Sequence, residues 1–144
     1  GGRARTWRSR AAMPALNVLA LHGFGQCAEV FLEKRAKELS RKLKSVATLH
    51  AIDAPFARPE QPALRAWWTY PPELWDGRPE TVQALAETLL QRESFEARGV
   101  RESLSYVVDA WSQGEYDGVL GFSQGAVIAA VLCAELARRA ASGD

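Results

Sequence analysis

The stretch GVLGFSQGAVIAA, residues 118–130, decides the predicted fold. It places the pentapeptide Gly-Phe-Ser-Gln-Gly, residues 121–125, between an apolar run typical of a strand and an apolar run typical of a helix. A serine at such a sharp strand-to-helix turn projects its hydroxyl from the sheet and can act as a nucleophile. A bare Gly-x-Ser-x-Gly pattern occurs often by chance, but here strand, turn and helix all fit. We therefore predict that Ser123 is a catalytic serine.

The residues beside the serine support this prediction. Gly121 and Gly125 relieve crowding against neighbouring backbone at a turn of this kind. A helix predicted over 124–139 directs its N-terminus at the Ser123 hydroxyl, where free amides and the helix dipole favour developing negative charge. We therefore expect the Gln124 amide to be one donor of an oxyanion hole.

Strand-like runs alternate with helical patterns along the chain. Strands are predicted over Leu16–Leu21, Val46–Ile52 and Tyr116–Phe122, and helices over 29–43, 79–91, from Val100 to a cap at Gly114, and 124–139. Alternation of strands and helices with right-handed crossovers produces an α/β fold with a parallel sheet. We expect the three strands to pair in the spatial order second, first, third.

A glycine-rich turn follows the first predicted strand. Residues 22–26 are His-Gly-Phe-Gly-Gln, at the position where an α/β-hydrolase supplies its second oxyanion donor. We expect that donor to be the Phe24 amide, with His22 and Gly23 supporting the turn. The alternative is that the glycines only allow the chain to turn from strand to helix.

Five motifs carry a family resemblance. They are residues 21–26 (LHGFGQ), 52–55 (IDAP), 65–68 (RAWW), 116–118 (YDG) and 121–126 (GFSQGA). In order and spacing they resemble the FSH serine hydrolases, which are small α/β-hydrolases, from residue 13 to about residue 139. The resemblance implies cleavage of a small-molecule carboxylic ester or thioester through an acyl-serine, without metal or cofactor. It also implies that Ser123 is the nucleophile and that the amides of Phe24 and Gln124 form the oxyanion hole.

The serine needs a base, since a hydroxyl is too weakly acidic to attack a carbonyl unaided. The chain has two histidines, His22 and His50, and both precede Ser123, whereas the base of this fold follows the nucleophile. The resemblance implies a further region that holds the triad Asp and His. We therefore expect residues 13–144 to be the N-terminal portion of one hydrolase domain, inactive or weakly active alone. The alternatives are a non-catalytic pseudoenzyme and a module that binds hydrophobic ligands or partners.

The aromatic cluster at residues 67–75 has two interpretations. Trp67, Trp68, Tyr70 and Trp75 lie in a long Pro-rich excursion between the second and third strands. They either form the apolar wall of an acyl pocket or pack a long ordered loop. The resemblance favours Trp67 and Trp68 as substrate-binding residues, because the family carries aromatic residues there.

Composition limits the remaining possibilities. The chain has 144 residues, of which 47% are hydrophobic and 24% charged, which fits one globular domain. Four arginines lie in the first ten residues, and the rest of the chain has 14 basic against 17 acidic residues. We therefore expect no nucleic-acid surface. Residues 1–12 form a basic tail, which we interpret as a cloning-derived or upstream extension, or as the end of a mitochondrial transit peptide.

The cysteines and the apolar surfaces yield three further expectations. Cys27 and Cys133, with no secretory signal, favour a reducing compartment such as the cytoplasm, and Cys133 is expected in the core. No apolar run is long enough for a membrane span. The third strand should leave an exposed sheet edge, beside the apolar helix 126–136. We therefore expect the chain to self-associate or to require the missing region in trans.

Overall fold

The computed structural model describes residues 15–58, 61–71, 82–92, 94 and 96–143. Predictions for the tail 1–12, for Trp75 and for the start of the helix over 79–91 lie outside these residues. In chain order the elements are β1 (Leu16–Leu21), α1 (Ala28–Val30), a π-helical segment (Phe31–Arg35), α2 (Lys37–Leu43), β2 (Ala47–Ile52), β3 (Phe56–Ala57), β4 (Arg65–Ala66), α3 (Val82–Leu90), α4 (Val100–Gln113), β5 (Gly118–Gly121) and α5 (Gln124–Ser142).

The main sheet has the predicted strand order. Its three strands are parallel and pair in the order β2-β1-β5, so the α/β class and the topology are confirmed. The register pairs Leu21 of β1 with Ile52 on one side and with Gly121 on the other. The carboxyl ends of all three strands therefore lie at one level, where parallel sheets place their functional loops.

Both faces of the sheet are buried because helices cover each of them. Leu19 and Leu21 point into a core shared with α4 and α5, and both are fully buried. Ala20, between them, points to the opposite face and packs with Phe31 and Ala36. Because successive side chains alternate between the faces, a strand covered on both sides must be apolar at every position. This explains the apolar residues 18–21 of β1, whereas Asn17 lies at the less buried start of the strand.

The predicted helix over 29–43 is interrupted. Residues 31–35 are π-helical, and the Ala36 N–H donates to the Phe31 carbonyl at 2.8 Å. In a regular α-helix these two residues would lie about 140° apart around the axis, yet each is only 3% exposed. The wider turn brings both side chains onto the sheet, which a regular helix would not do.

Two further features differ from the sequence predictions. The segment predicted as loop contains a small antiparallel pair, β3 with β4, whose two-residue strands are too short to show a periodic pattern. Cys133 is exposed rather than in the core. The reason is that α5 turns Ile128, Ala129 and Leu132 onto the sheet, and Cys133 lies beside that stripe.

Among the described helices, none has the length and apolarity required to cross a bilayer.

Candidate active site

Ser123 lies at the junction of β5 and α5 in an unusual backbone conformation. Its φ is 53° and its ψ is −122°, and among the described residues it is the only non-glycine residue with a positive φ. Such conformations cost about 1–3 kcal/mol and persist where the surrounding structure enforces them. The residue itself is exposed, so its hydroxyl stands at the carboxyl edge of the sheet.

The two flanking glycines are required by close backbone approach. A Cβ at Gly121 would overlap the carbonyl oxygen of Gly125. A Cβ at Gly125 would overlap the carbonyl oxygen of Leu21, the last residue of β1. The start of α5 therefore packs directly on the end of β1, as the sequence pattern predicts.

The glycine-rich turn 22–26 is held by the Gln26 side chain and by backbone hydrogen bonds to β4. The Gly23 N–H donates to Gln26 Oε1 at 3.0 Å. The Gly25 N–H donates to the Arg65 carbonyl at 2.8 Å, and the Arg65 N–H donates to the Gln26 carbonyl at 2.7 Å. Sequence reasoning missed the part played by Gln26, since a glutamine near a turn gives no distinctive signal.

The structure brings this turn against the turn that carries Ser123. The Phe122 N–H donates to the Leu21 carbonyl at 3.0 Å, and the Phe122 ring lies 2.9 Å from where a Cβ of Gly23 would stand. The residues predicted to carry the oxyanion donors, Phe24 and Gln124, therefore belong to neighbouring turns.

His22 has both ring nitrogens committed to the backbone. Its Nδ1 donates to the Gly23 carbonyl at 2.8 Å, and its Nε2 accepts from the Ala54 N–H at 3.0 Å. A carbonyl can only accept and an amide can only donate, so these partners require the neutral ring. Burial lowers the pKa of His22 below its ordinary 6.5. His22 therefore braces the turn and has no ring nitrogen left to accept the Ser123 proton.

His50 lies in β2 opposite Leu19 of β1, and its ring is directed toward the amino end of the sheet, where it also contacts Tyr116. Its Nε2 is 2.9 Å from Asn17 Oδ1, and Asn17 is paired through its backbone N–H with the Asp117 carboxylate at 2.8 Å. About 13 Å of strand separates Asn17 from Leu21, at whose level the Ser123 turn begins. Neither histidine is thus positioned as a base for Ser123.

The Gln124 side chain fastens the Trp67–Trp68 backbone to α5. Its Oε1 accepts from the Trp67 N–H at 2.9 Å, and its Nε2 donates to the Trp68 carbonyl at 3.2 Å. Two further bonds hold Trp67, because its carbonyl accepts from Ser103 Oγ at 2.5 Å and its indole N–H donates to the His22 carbonyl at 2.8 Å. Gln124 and Ser103 are both buried. The sequence did not indicate either side chain's role.

The two tryptophans occupy core positions. Trp67 is fully buried, which favours packing over direct contact with a substrate, and Trp68 is 7% exposed. The Trp68 indole N–H is buried and has no hydrogen-bond acceptor within the described part of the chain. Assignment of these residues to a substrate pocket stays a prediction.

The first turn of α5 presents an amide beside Ser123. The Gly125 N–H donates to the Phe122 carbonyl and the Ala126 N–H to the Ser123 carbonyl, each at 2.9 Å. Across the residues that the structure describes, the Gln124 N–H has no such backbone acceptor. Unsatisfied amides at a helix N-terminus are suited to bind negative charge.

A cation lies close to the other predicted donor. The Phe24 ring contacts the Tyr70 ring edge-on at 5.9 Å between centroids, and the Arg58 guanidinium lies 5.8 Å from the Phe24 centroid. Arg58 is only 7% exposed. Elsewhere, the Asp53 carboxylate has a structural role, since its Oδ1 accepts from the Ala28 N–H at 2.7 Å. Within the described ranges, no cluster of His, Cys, Asp and Glu side chains is arranged to bind a metal ion.

Comparison with known proteins identifies the family. The model of the serine hydrolase (FSH1) family matches residues 12–143, nearly the whole chain. The chain belongs to the FSH1 serine hydrolase family. The resemblance inferred from the five sequence motifs is thereby confirmed.

Three curated relatives show the range of proteins that this FSH1 family member resembles. It is 36% identical over 136 residues to human Esterase OVCA2, covering 86% of this chain and 57% of that protein. It is 34% identical over 133 residues to Esterase OVCA2 of Xenopus tropicalis, covering 83% and 53%. It is 35% identical over 132 residues to Rhodanese-like domain-containing protein 6 of Arabidopsis thaliana, covering 82% and 22%. The chain thus spans about half the length of the two esterases.

Proposed function

We propose that this chain carries the nucleophile of a hydrolase that cleaves small-molecule carboxylic esters or thioesters through an acyl-serine intermediate. The observation that carries the proposal is the backbone of Ser123, with φ 53° and ψ −122° at the β5–α5 junction. This is the conformation expected of a nucleophile elbow. Membership of the FSH1 serine hydrolase family and the esterase names of two relatives support it.

The chemistry proceeds in two transfers. Ser123 Oγ attacks the acyl carbonyl carbon while a base takes its proton, and the carbonyl oxygen becomes an oxyanion. The amides of Gln124 and Phe24 donate to that oxyanion, and one such donor contributes about 3–4 kcal/mol to transition-state stability. The bond to the alcohol or thiol then breaks, and the leaving group takes the proton from the base. Water repeats the attack on the acyl-serine and releases the acid.

Neither histidine of the chain is placed to be the base in this proposal. His22 is committed to backbone partners and His50 lies away from the Ser123 turn. We propose that the base comes from residues outside these 144, in keeping with the greater length of the esterase relatives. The isolated chain is then a slow hydrolase at best, since loss of a triad member removes most of the rate.

Ser123 labelling tests the proposal. The protein is treated with a fluorophosphonate, and the adduct is measured by intact mass and mapped by peptide sequencing. We expect an adduct on Ser123 that is absent in Ser123→Ala and retained in Ser105→Ala, which removes an exposed serine from α4. An adduct elsewhere would contradict the proposal. An inert Ser123 in a protein that binds aliphatic ester analogues would favour a ligand-binding module.

We also propose that the free side of β5 mediates self-association. Among the described strands, β5 pairs with β1 alone. Phe122 and Val127, which follow this strand, are 47% and 49% exposed. An open strand edge beside apolar side chains favours pairing with another chain. Light scattering should therefore show a mass that rises with concentration, and a constant monomeric mass would contradict this.

A further inference from the structure

We propose that the Gln124 side chain is a positioning residue that sets the separation between the two oxyanion donors. The inference rests on the proposed function, because it concerns the same site. It assigns to the side chain of Gln124 a role separate from that of its backbone amide.

The segment 65–68 connects the two turns of the site. At one end, Arg65 exchanges two backbone hydrogen bonds with residues Gly25 and Gln26, next to Phe24. At the other end, Trp67 and Trp68 are bonded to the Gln124 side chain. One four-residue segment therefore spans from the turn carrying one predicted donor to the residue carrying the other.

Gln124 is suited to this task because both ends of its amide are used. The side chain accepts from one backbone group and donates to the next, and the residue is only 4% exposed. Without water to replace them, losing these bonds would leave a buried N–H and a buried carbonyl unsatisfied. Ser103 bonds the Trp67 carbonyl, which leaves the Trp67 N–H and the Trp68 carbonyl dependent on Gln124.

The expected consequence concerns the transition state rather than substrate binding. If the 65–68 segment moves away from α5, the two amides no longer converge on the oxyanion. A displacement of about 1 Å at a catalytic group can cost about 100-fold in rate. We expect Gln124→Met to slow Ser123 phosphonylation by about 10- to 100-fold, with little change in the half-saturating probe concentration.

The sharper test is Gln124→Glu followed across pH. An ionised glutamate can accept from the Trp67 N–H but cannot donate to the Trp68 carbonyl, whereas a protonated one can do both. Burial should raise the pKa of the introduced carboxyl. The ratio of the variant's rate of Ser123 phosphonylation to the wild-type rate should therefore approach one at acid pH and fall as the pH rises. Gln113→Glu, at the exposed end of α4, adds the same charge and should give a ratio of one throughout.

The outcomes are distinguishable. A Gln124→Glu ratio that does not change with pH, or a Gln124→Met variant that labels at the wild-type rate, would overturn the inference. If Ser123 stays inert in the wild type even with added imidazole, the proposed function fails, and the hydrogen bonds of the Gln124 side chain are tested by NMR instead. The Gln124 side-chain amide protons should then exchange slowly with solvent, and rapid exchange would refute the positioning role.

Discussion

The contact between the Ser123 turn and β1 can be tested with two chemically identical substitutions. Gly125→Ala places a methyl group against the carbonyl oxygens of Leu21 and His22. Gly118→Ala, in β5, places the same methyl group where no atom lies within 4 Å. The same methyl group therefore meets backbone oxygens at Gly125 and open space at Gly118.

The expected magnitudes follow from that difference. Overpacking typically costs about 1–3 kcal/mol, and the upper end applies at Gly125 because backbone oxygens cannot rotate away. Greater helix propensity of alanine offsets at most about 1 kcal/mol, so Gly125→Ala should destabilise by about 2 kcal/mol. Gly118→Ala should stabilise by about 0.5 kcal/mol, because alanine restricts the unfolded chain.

Urea denaturation followed by tryptophan fluorescence measures both effects. The expected gap of about 2.5 kcal/mol corresponds to about 8 °C in Tm for a chain of this length. Gly125→Ala should also slow labelling of Ser123, because α5 must shift to make room. Equal stability of the two variants would refute the packing of α5 on β1 described above.

Two further outcomes follow from single contacts. The His22 ring stays neutral in the folded protein, whereas in the unfolded chain it protonates near pH 6.5. The free energy of unfolding should therefore fall as the pH drops below about 6.5, and it should level off below the lowered pKa of the folded state. The urea concentration at the midpoint of unfolding, measured against pH, should show this slope in His50→Asn and lose it in His22→Asn. An unchanged slope in His22→Asn would contradict the assignment of the pH dependence to His22. Asp53→Ala should cost about 1 kcal/mol through loss of the bond to the Ala28 N–H. The exposed-site control Asp109→Ala should change stability by less than about 0.5 kcal/mol, and equal losses would exclude the Asp53 bond as the cause.

The sequence predicted the parallel sheet and its strand order because those features arise from local patterns. The apolar run of β1 indicates a strand buried on both faces, and the motif around Ser123 indicates a tight turn. Gly121 and Gly125 could be singled out for the same reason, since only glycine permits such close backbone approach. The candidate site at the carboxyl edge of the sheet follows from topology.

What could not be predicted depends on partners distant in sequence. Gln124 bonds to Trp67 across 57 positions, and no local pattern marks such a pair. The π-helical segment exists because Phe31 and Ala36 both reach the sheet, a tertiary demand that overrides helical periodicity. The prediction of a buried Cys133 was wrong because nearly every residue around it in α5 is apolar. The sequence therefore did not distinguish the buried stripe of the helix from its neighbours.

The most direct measurement is the rate of Ser123 phosphonylation as a function of added imidazole. If Ser123 is the nucleophile and its base lies outside these residues, as proposed, the serine should react slowly alone and faster as an external base is supplied. We expect a rate that rises in proportion to imidazole and disappears in Ser123→Ala. Rapid labelling without imidazole would contradict the proposal that the base lies outside these residues. No labelling at any imidazole concentration would contradict the role of Ser123 as a nucleophile.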